Sequence, residues 1–175
     1  MVTILPTAEA HVESFHRCLD AVARERRYLA FVAAPPVAAL RDFVRAIVDA
    51  GAIQVLAFED GVVVGWCDVL SKPMEGFTHV GALGMGVAAS HRRRGVGEQL
   101  AKAALNRSRA AGLKRVELEV FASNRAAIKL YEKLGFEREG VKRSARYLDG
   151  AYDDLVLMAV VWEPSLKASN DAPAG

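Results

Sequence analysis

The chain has 175 residues, 52% apolar and 25% charged, the composition of one globular domain with room for a sizeable core. Its formal net charge of +2 excludes nucleic-acid binding driven by bulk charge, so any cationic role must be local. The two cysteines, Cys18 and Cys67, are far apart in apolar or amphipathic contexts and make neither a disulfide framework nor a four-ligand metal site; no metal is expected.

The first residues, MVTILPTAEA, lack both a basic segment and a long apolar one, so no signal peptide is expected. No run approaches the ~20 apolar residues needed to span a bilayer, and a reducing cytoplasm is the expected compartment. Val2 to Leu5 reads as a short strand ended by Pro6. Val12, Phe15, Leu19 and Val22 recur at helical spacing within a helix expected over about Ala8 to Arg27. Pro36 opens a second helix with Leu40, Phe43, Val44 and Ile47 on one side, stopped before Gly51. The period then changes. AIQVLAFED and VVVGWCDVL read as strands joined across Asp60-Gly61, and HVGALGMGV is a third, rich in glycine.

A helix over about Val96 to Ala111 ends at Gly112, and RVELEVF is the next strand. A short helix follows in SNRAAIKLYEKLGF, with Ser123 or Asn124 as its N-cap and Gly135 as its stop. A long hairpin turns at Asp149-Gly150. The fold class is therefore mixed α/β: a mostly antiparallel central sheet, one parallel strand–helix–strand crossover over His79 to Phe121, and helices on both faces. One domain is expected over residues 1–163, with a small polar tail over 164–175.

The stretch SHRRRGVGEQL, Ser90 to Leu100, carries the first chemical signal. A helix starting near Val96 leaves its first amides unpaired, and its dipole favours an anion there. Gly95 and Gly97 expose backbone N–H groups, and Arg92, Arg93 and Arg94 bring charge and forked donors. The same stretch would also serve as a solvated basic turn. A Walker loop is absent. GMGVAA fits the relaxed dinucleotide pattern, but SHRRRG separates its glycines from the helix.

With LEVFASNRAAIKLYEKLGF behind it, RRRGVG resembles the GCN5-related N-acetyltransferase family, its Arg92, Gly95 and Gly97 matching the [QR]-x-x-G-x-[GA] motif. The resemblance runs from residue 2 to about 162. It implies acetyl-CoA as donor, its pyrophosphate on the backbone from Arg92 through Arg93, Arg94, Gly95 and Val96 to Gly97. It implies that the strand ending at Val87 splays from the one beginning at Arg115, with pantetheine in the gap. An extended, amide-bearing arm can pair with exposed strand groups there, and Gly84 and Gly86 would permit close approach. A backbone N–H near Met85, Gly86 or Val87 would meet the oxyanion.

Acetyl transfer needs a base for the amine and an acid for the thiolate. Tyr131 lies four residues after Ala127 and three before Leu134, on the buried stripe of its helix, and the resemblance places it beside the sulfur as acid. The resemblance puts Asn124 on the pantetheine arm; a helix cap explains the same residue. Glu119 is the candidate base: on a central strand covered by helices a carboxylate is costly unless paired or functional, and Glu117 shares its face. His79 is the second candidate.

RERRYLAF, residues 24–31, and KRSARYLDGAYDD, residues 142–154, are the expected acceptor walls. The second resembles the phosphinothricin and L-amino-acid branch, whose acceptors are small amines. Its arginines could pair with an acceptor carboxylate, and Asp153 or Asp154 with its ammonium. A ribosomal-protein-type N-terminal acetyltransferase, or a CoA-binding protein without transfer, is the alternative. No nucleic-acid or membrane partner is expected, and a homodimer is.

Overall fold

The computed structural model describes residues 1–162, so the tail expected over 164–175 lies outside the described residues. The strands are β1 (Thr3–Pro6), β2 (Ile53–Glu59), β3 (Val62–Ser71), β4 (Val80–Val87), β5 (Arg115–Phe121), β6 (Glu137–Leu148) and β7 (Ala151–Val161). The helices are α1 (Val12–Arg24), α2 (Val37–Asp49), α3 (Val96–Ala110) and α4 (Arg125–Lys133). The strands form one sheet in the order β1-β2-β3-β4-β5-β7-β6. Every neighbouring pair is antiparallel except β4 and β5. That parallel pair is the one that needs α3 as a crossover.

Two cores occupy the two faces. On one, Val96, Leu100 and Ala104 of α3 and Ile128 and Tyr131 of α4 pack over Val55, Cys67, Val116 and Met158. On the other, Phe15 and Leu19 of α1 with Leu40 and Val44 of α2 cover Leu56 and Trp66. Alternation along β2 sends Val55 and Ala57 to one core and Leu56 to the other, and on β3 an irregularity between Val63 and Gly65 reverses the parity, so that Val63 joins Trp66 and Val64 joins Cys67. Both tight turns follow their sequence signals: Asp60 and Gly61 have φ of 51° and 76°, Asp149 and Gly150 of 51° and 79°, the paired positive angles of a type I′ hairpin.

The first helix is shorter than its apolar spacing predicts. A 3₁₀ turn takes Glu9–His11, and α1 ends at Arg24 because Arg26 turns to φ 56°. Both cysteines are free and buried. No helix among the described residues is long and apolar enough to cross a membrane.

Candidate active site

The sheet opens at its parallel seam. β4 and β5 pair only through Val80–Ala82 and Arg115–Glu117. Beyond that point β4 stays bonded to β3 as far as Val87, and β5 stays bonded to β7 as far as Phe121. Alternate backbone N–H and C=O groups of Leu83 to Val87 therefore face the seam without a ladder partner. The gap is a cleft of about 870 Å³, lined from α4 by Ala127, Leu130 and Tyr131 and from α1 and the segment after it by Val22, Tyr28 and Leu29. Residues of both helical layers thus meet in it.

Most sequence-predicted residues converge here. Met85, Gly86 and Val87 supply one wall, Arg92, Arg93, Gly95 and Gly97 one end, and Asn124, Glu119 and Tyr131 the side towards β5 and α4. Gly95 caps α3 at φ 79°, a left-handed conformation that a glycine adopts without strain. Val96 contributes only its backbone, since its side chain is 1% exposed in the core.

The three arginines do not act alike, which narrows the expectation that all bring charge to an anion. Arg92 donates from Nε to the Val87 carbonyl at 2.8 Å and from its other nitrogens to both Glu25 oxygens at 2.7 and 2.5 Å. Its guanidinium also lies 4.5 Å from the centre of the Tyr28 ring. It fastens the segment after α1 to the loop before α3. Arg94 donates to Glu59, which His91 also contacts at 2.8 Å. Arg93 alone has no acidic partner among the described residues, and it is exposed in the cleft.

Gly84 and Gly86 of β4 have a different reason from the one expected. A side chain on Gly86 would collide with the Trp66 indole, which fills that space and packs against Phe15 at 5.7 Å. A Cβ on Gly84 would stand 3.1 Å from Oδ2 of Asp68. The Trp66 side chain fills the space over Gly86, and the Asp68 carboxylate borders the space over Gly84.

Tyr131 is 6% exposed, with its ring 5.6 Å from Phe136. Burial, with the nearby Cys67, pushes its phenol above the usual range, so it holds its proton at neutral pH. Asn124 caps α4: its side-chain oxygen accepts from the Ala127 N–H at 3.2 Å. Ser123 instead donates to Asp153 at 2.6 Å.

Glu119 departs from the expected burial. Its side chain is 47% exposed and accepts a hydrogen bond from Lys142, so neither helix layer covers it. Glu117 binds Lys72 and Arg115, whose cations hold its carboxyl below the usual range. His79 stands just before β4, at the end away from the cleft, where its carbonyl accepts from the Lys114 and Arg115 amides.

Of the first expected acceptor wall, residues 24–31, Tyr28, Leu29 and Ala30 line the cleft. The second is largely bound to itself. Asp153 accepts from Arg146 and Ser123, Asp154 accepts from the Ser144 N–H, and Arg146 lies 3.6 Å from the Phe121 ring centre. None of residues 142–154 lines the cleft; Leu155, just beyond them, does. Two residues escaped the sequence reading. Glu25 gave no signal, because its partner lies 67 positions away. Asp68 did give one, a lone carboxylate inside the apolar run of β3.

The model of the Acetyltransferase (GNAT) family matches residues 15–136. The L-amino acid N-acetyltransferase AaaT of Escherichia coli (strain K12) is 36% identical over 114 residues, covering 63% of this chain and 69% of that protein. The L-methionine sulfoximine/L-methionine sulfone acetyltransferase of Pseudomonas aeruginosa is 32% identical over 117 residues, 66% of this chain and 68% of that protein. Among solved structures, a GNAT superfamily phosphinothricin acetyltransferase from Sinorhizobium meliloti in complex with AcCoA aligns with a TM-score of 0.87. That alignment covers 98% of this chain and 97% of the other at 17% identity, a likeness that establishes the fold alone.

Proposed function

The chain belongs to the acetyltransferase (GNAT) family, and from that premise we propose that it moves an acetyl group from acetyl-CoA directly to the primary amine of a small molecule, an amino acid first of all. The observation that carries this reading is the parted β4–β5 seam, with bare backbone on one side, the start of α3 at one end and a buried phenol at its side. An extended chain bearing amides can take up the unpaired groups of Leu83 to Val87 as an added strand does. The amides from Arg92 to Gly97 receive the pyrophosphate, with Arg93 as the available cation. Asn124 meets the pantetheine arm while capping α4.

Tyr131 gives its proton to the departing thiolate. A backbone N–H of Met85 to Val87 meets the carbonyl oxygen; one such donor is worth about 2.7–4 kcal/mol in comparable acyl transfers. Glu119, on the opposite side of the seam, meets the amine, since it lines the cleft and Asp153 and Asp154 do not. The names of the two curated relatives support an amino-acid acceptor. The buried free thiols fit a reducing cytoplasm.

The test is release of free thiol from acetyl-CoA across amino acids, polyamines and short peptides. Release that depends on an amino acid is the expected result. Release with peptides alone would move the acceptor to a protein N-terminus, and tight CoA binding with no release would contradict transfer altogether.

A further inference from the structure

One carboxylate near the cleft has no evident occupation. Asp68 sits within the buried run of β3, on the sheet face that also carries Trp66. Its two oxygens lie over Gly84, 3.1 and 3.5 Å from where a Cβ would stand, and the Gly84 backbone lines the cleft. Asp68 keeps partial exposure, and Ala82, next along this face of β4, is exposed. This part of the face is therefore not roofed by α1 and α2.

A carboxylate with a purely structural task takes a cation or several donors. Asp68 pairs with no Lys, Arg or His among the described residues. Directly across on β2 is Gln54, 4% exposed, whose uncharged amide is near enough to pull on the Asp68 carboxyl but brings no cation. The other packed elements offer no cation. β4 presents Gly84 and Ala82, the inner side of α1 presents only the Cys18 thiol, and the buried residues of α2 are apolar. Cys67, its chain neighbour, points to the opposite core. On β5 the same face carries Glu117, held by Lys72 and Arg115, and Glu119, held by Lys142. So two carboxylates of this face have fixed cationic partners, and the third, Asp68, has none among the described residues.

We propose that Asp68 is the proton acceptor of the reaction: the ammonium group of the acceptor seats over Gly84, between Asp68 and Glu119, and gives its proton to Asp68. This deepens the acetyl-transfer reading and rests on it. Glu119 then holds the ammonium by charge rather than taking its proton. The steps balance. One proton passes from nitrogen to an Asp68 oxygen and frees the nitrogen lone pair. That pair forms the N–C bond as the thioester C–S bond breaks. Tyr131 supplies the proton for sulfur and is restored by the second proton that leaves nitrogen. Asp68 returns its proton to water, so ammonium and thioester become amide, thiol and one proton, with no change of oxidation state. Glycine at position 84 leaves room for this approach, since a methyl there would press on the carboxylate. Burial pushes the Asp68 carboxyl up to about 7, against a smaller downward pull from Gln54, which poises it for proton transfer at neutral pH.

The experiment compares wild type, Asp68→Asn, Asp68→Glu and Glu119→Gln with acetyl-CoA and the best amino acid of the panel. It reads kcat and KM over about pH 6 to 9, with CoA affinity and Tm measured alongside. Asp68→Asn keeps the shape and is expected to lose about 100-fold or more in kcat, with its inflection near neutral pH gone and CoA affinity unchanged. Asp68→Glu keeps an ionisable group, so it retains an inflection and recovers part of the rate. Glu119→Gln raises KM for the amine and leaves the inflection. If Asp68→Asn stays within about threefold of wild type and keeps the inflection, or if the inflection vanishes in Glu119→Gln instead, the proposal is overturned. Turnover by wild type with an unaltered Asp68→Asn profile sinks this assignment alone, whereas no thiol release by wild type with any amine sinks the transfer reading beneath it.

Discussion

Arg92, Arg93 and Arg94 are adjacent in sequence and have three different situations. Arg92 is held by Glu25 and the Val87 carbonyl, Arg94 by Glu59, and Arg93 by nothing acidic among the described residues. Arg93→Ala should therefore weaken CoA binding about tenfold, the value of one charge-assisted hydrogen bond, and Arg94→Ala should change it little. Isothermal titration with CoA separates the two; equal losses would contradict the assignment. Asp68 makes a prediction about stability. Its folded pKa is raised, from 3.8 to about 7, so the folded state binds the proton more tightly than the unfolded chain. The stability this contributes is fully present below about pH 4 and is lost as pH rises through about 7, on the order of a few kcal/mol in all. Cation-held carboxylates such as Glu98, lowered to about 2, titrate below that window. Thermal unfolding of wild type should weaken between about pH 5 and 8 relative to Asp68→Asn, and parallel curves would refute the point.

Among the elements, α4 was the most legible. Its cap, its inward stripe and its stop are local signals, and Asn124, Tyr131 and Gly135 stand where those signals put them. The two Asp-Gly hairpins were legible for the same reason. The seam was not. Its strands could be recognised from their composition, but how far β4 and β5 remain paired is a tertiary property with no local code. Nor could sequence spacing show that Trp66 of β3 fills the space over Gly86 and that Asp68 borders the space over Gly84. Glu119 misled because a polar residue in an apolar strand reads as buried, while here the layer that would cover it stops short. Asn124 allows its two tasks to be separated. Asn124→Ala removes the cap and should cost about 1 kcal/mol in chemical denaturation, while Asn124→Ser keeps a capping oxygen and should retain most of that stability. Both variants should raise KM for acetyl-CoA; a serine variant with wild-type KM would leave Asn124 as a cap only.

For the whole molecule, the sheet is closed on neither side, and its two edges differ. β1 is 4 residues long, whereas β6 has 12 and its outer side is unpaired among the described residues. A long unpaired edge is normally covered or blunted. At the hairpin tip Tyr147 and Tyr152 stack at 4.7 Å while 63% and 69% exposed. A two-fold contact with a second copy through this hairpin is a prediction that can be tested. Analytical ultracentrifugation should give a dimer that Tyr147→Glu with Tyr152→Glu dissociates; a wild-type monomer at micromolar concentration would contradict the prediction. The sheet also explains why one cleft can serve two substrates. Parting β4 from β5 opens the boundary between the two cores, so the α4 phenol and the segment after α1 face the same space. Donor and acceptor can then enter from different sides and meet at the seam.

The measurement that bears most directly on this arrangement is acetyl-CoA-dependent thiol release by wild type and Tyr131→Phe side by side, with CoA affinity determined for both. Amine-dependent release is expected in the wild type. Tyr131→Phe should lose about 100-fold in kcat at unchanged CoA affinity, as removal of a general acid requires. Equal kcat in the two proteins would show that the buried phenol is a core residue only and that the thiolate leaves without it.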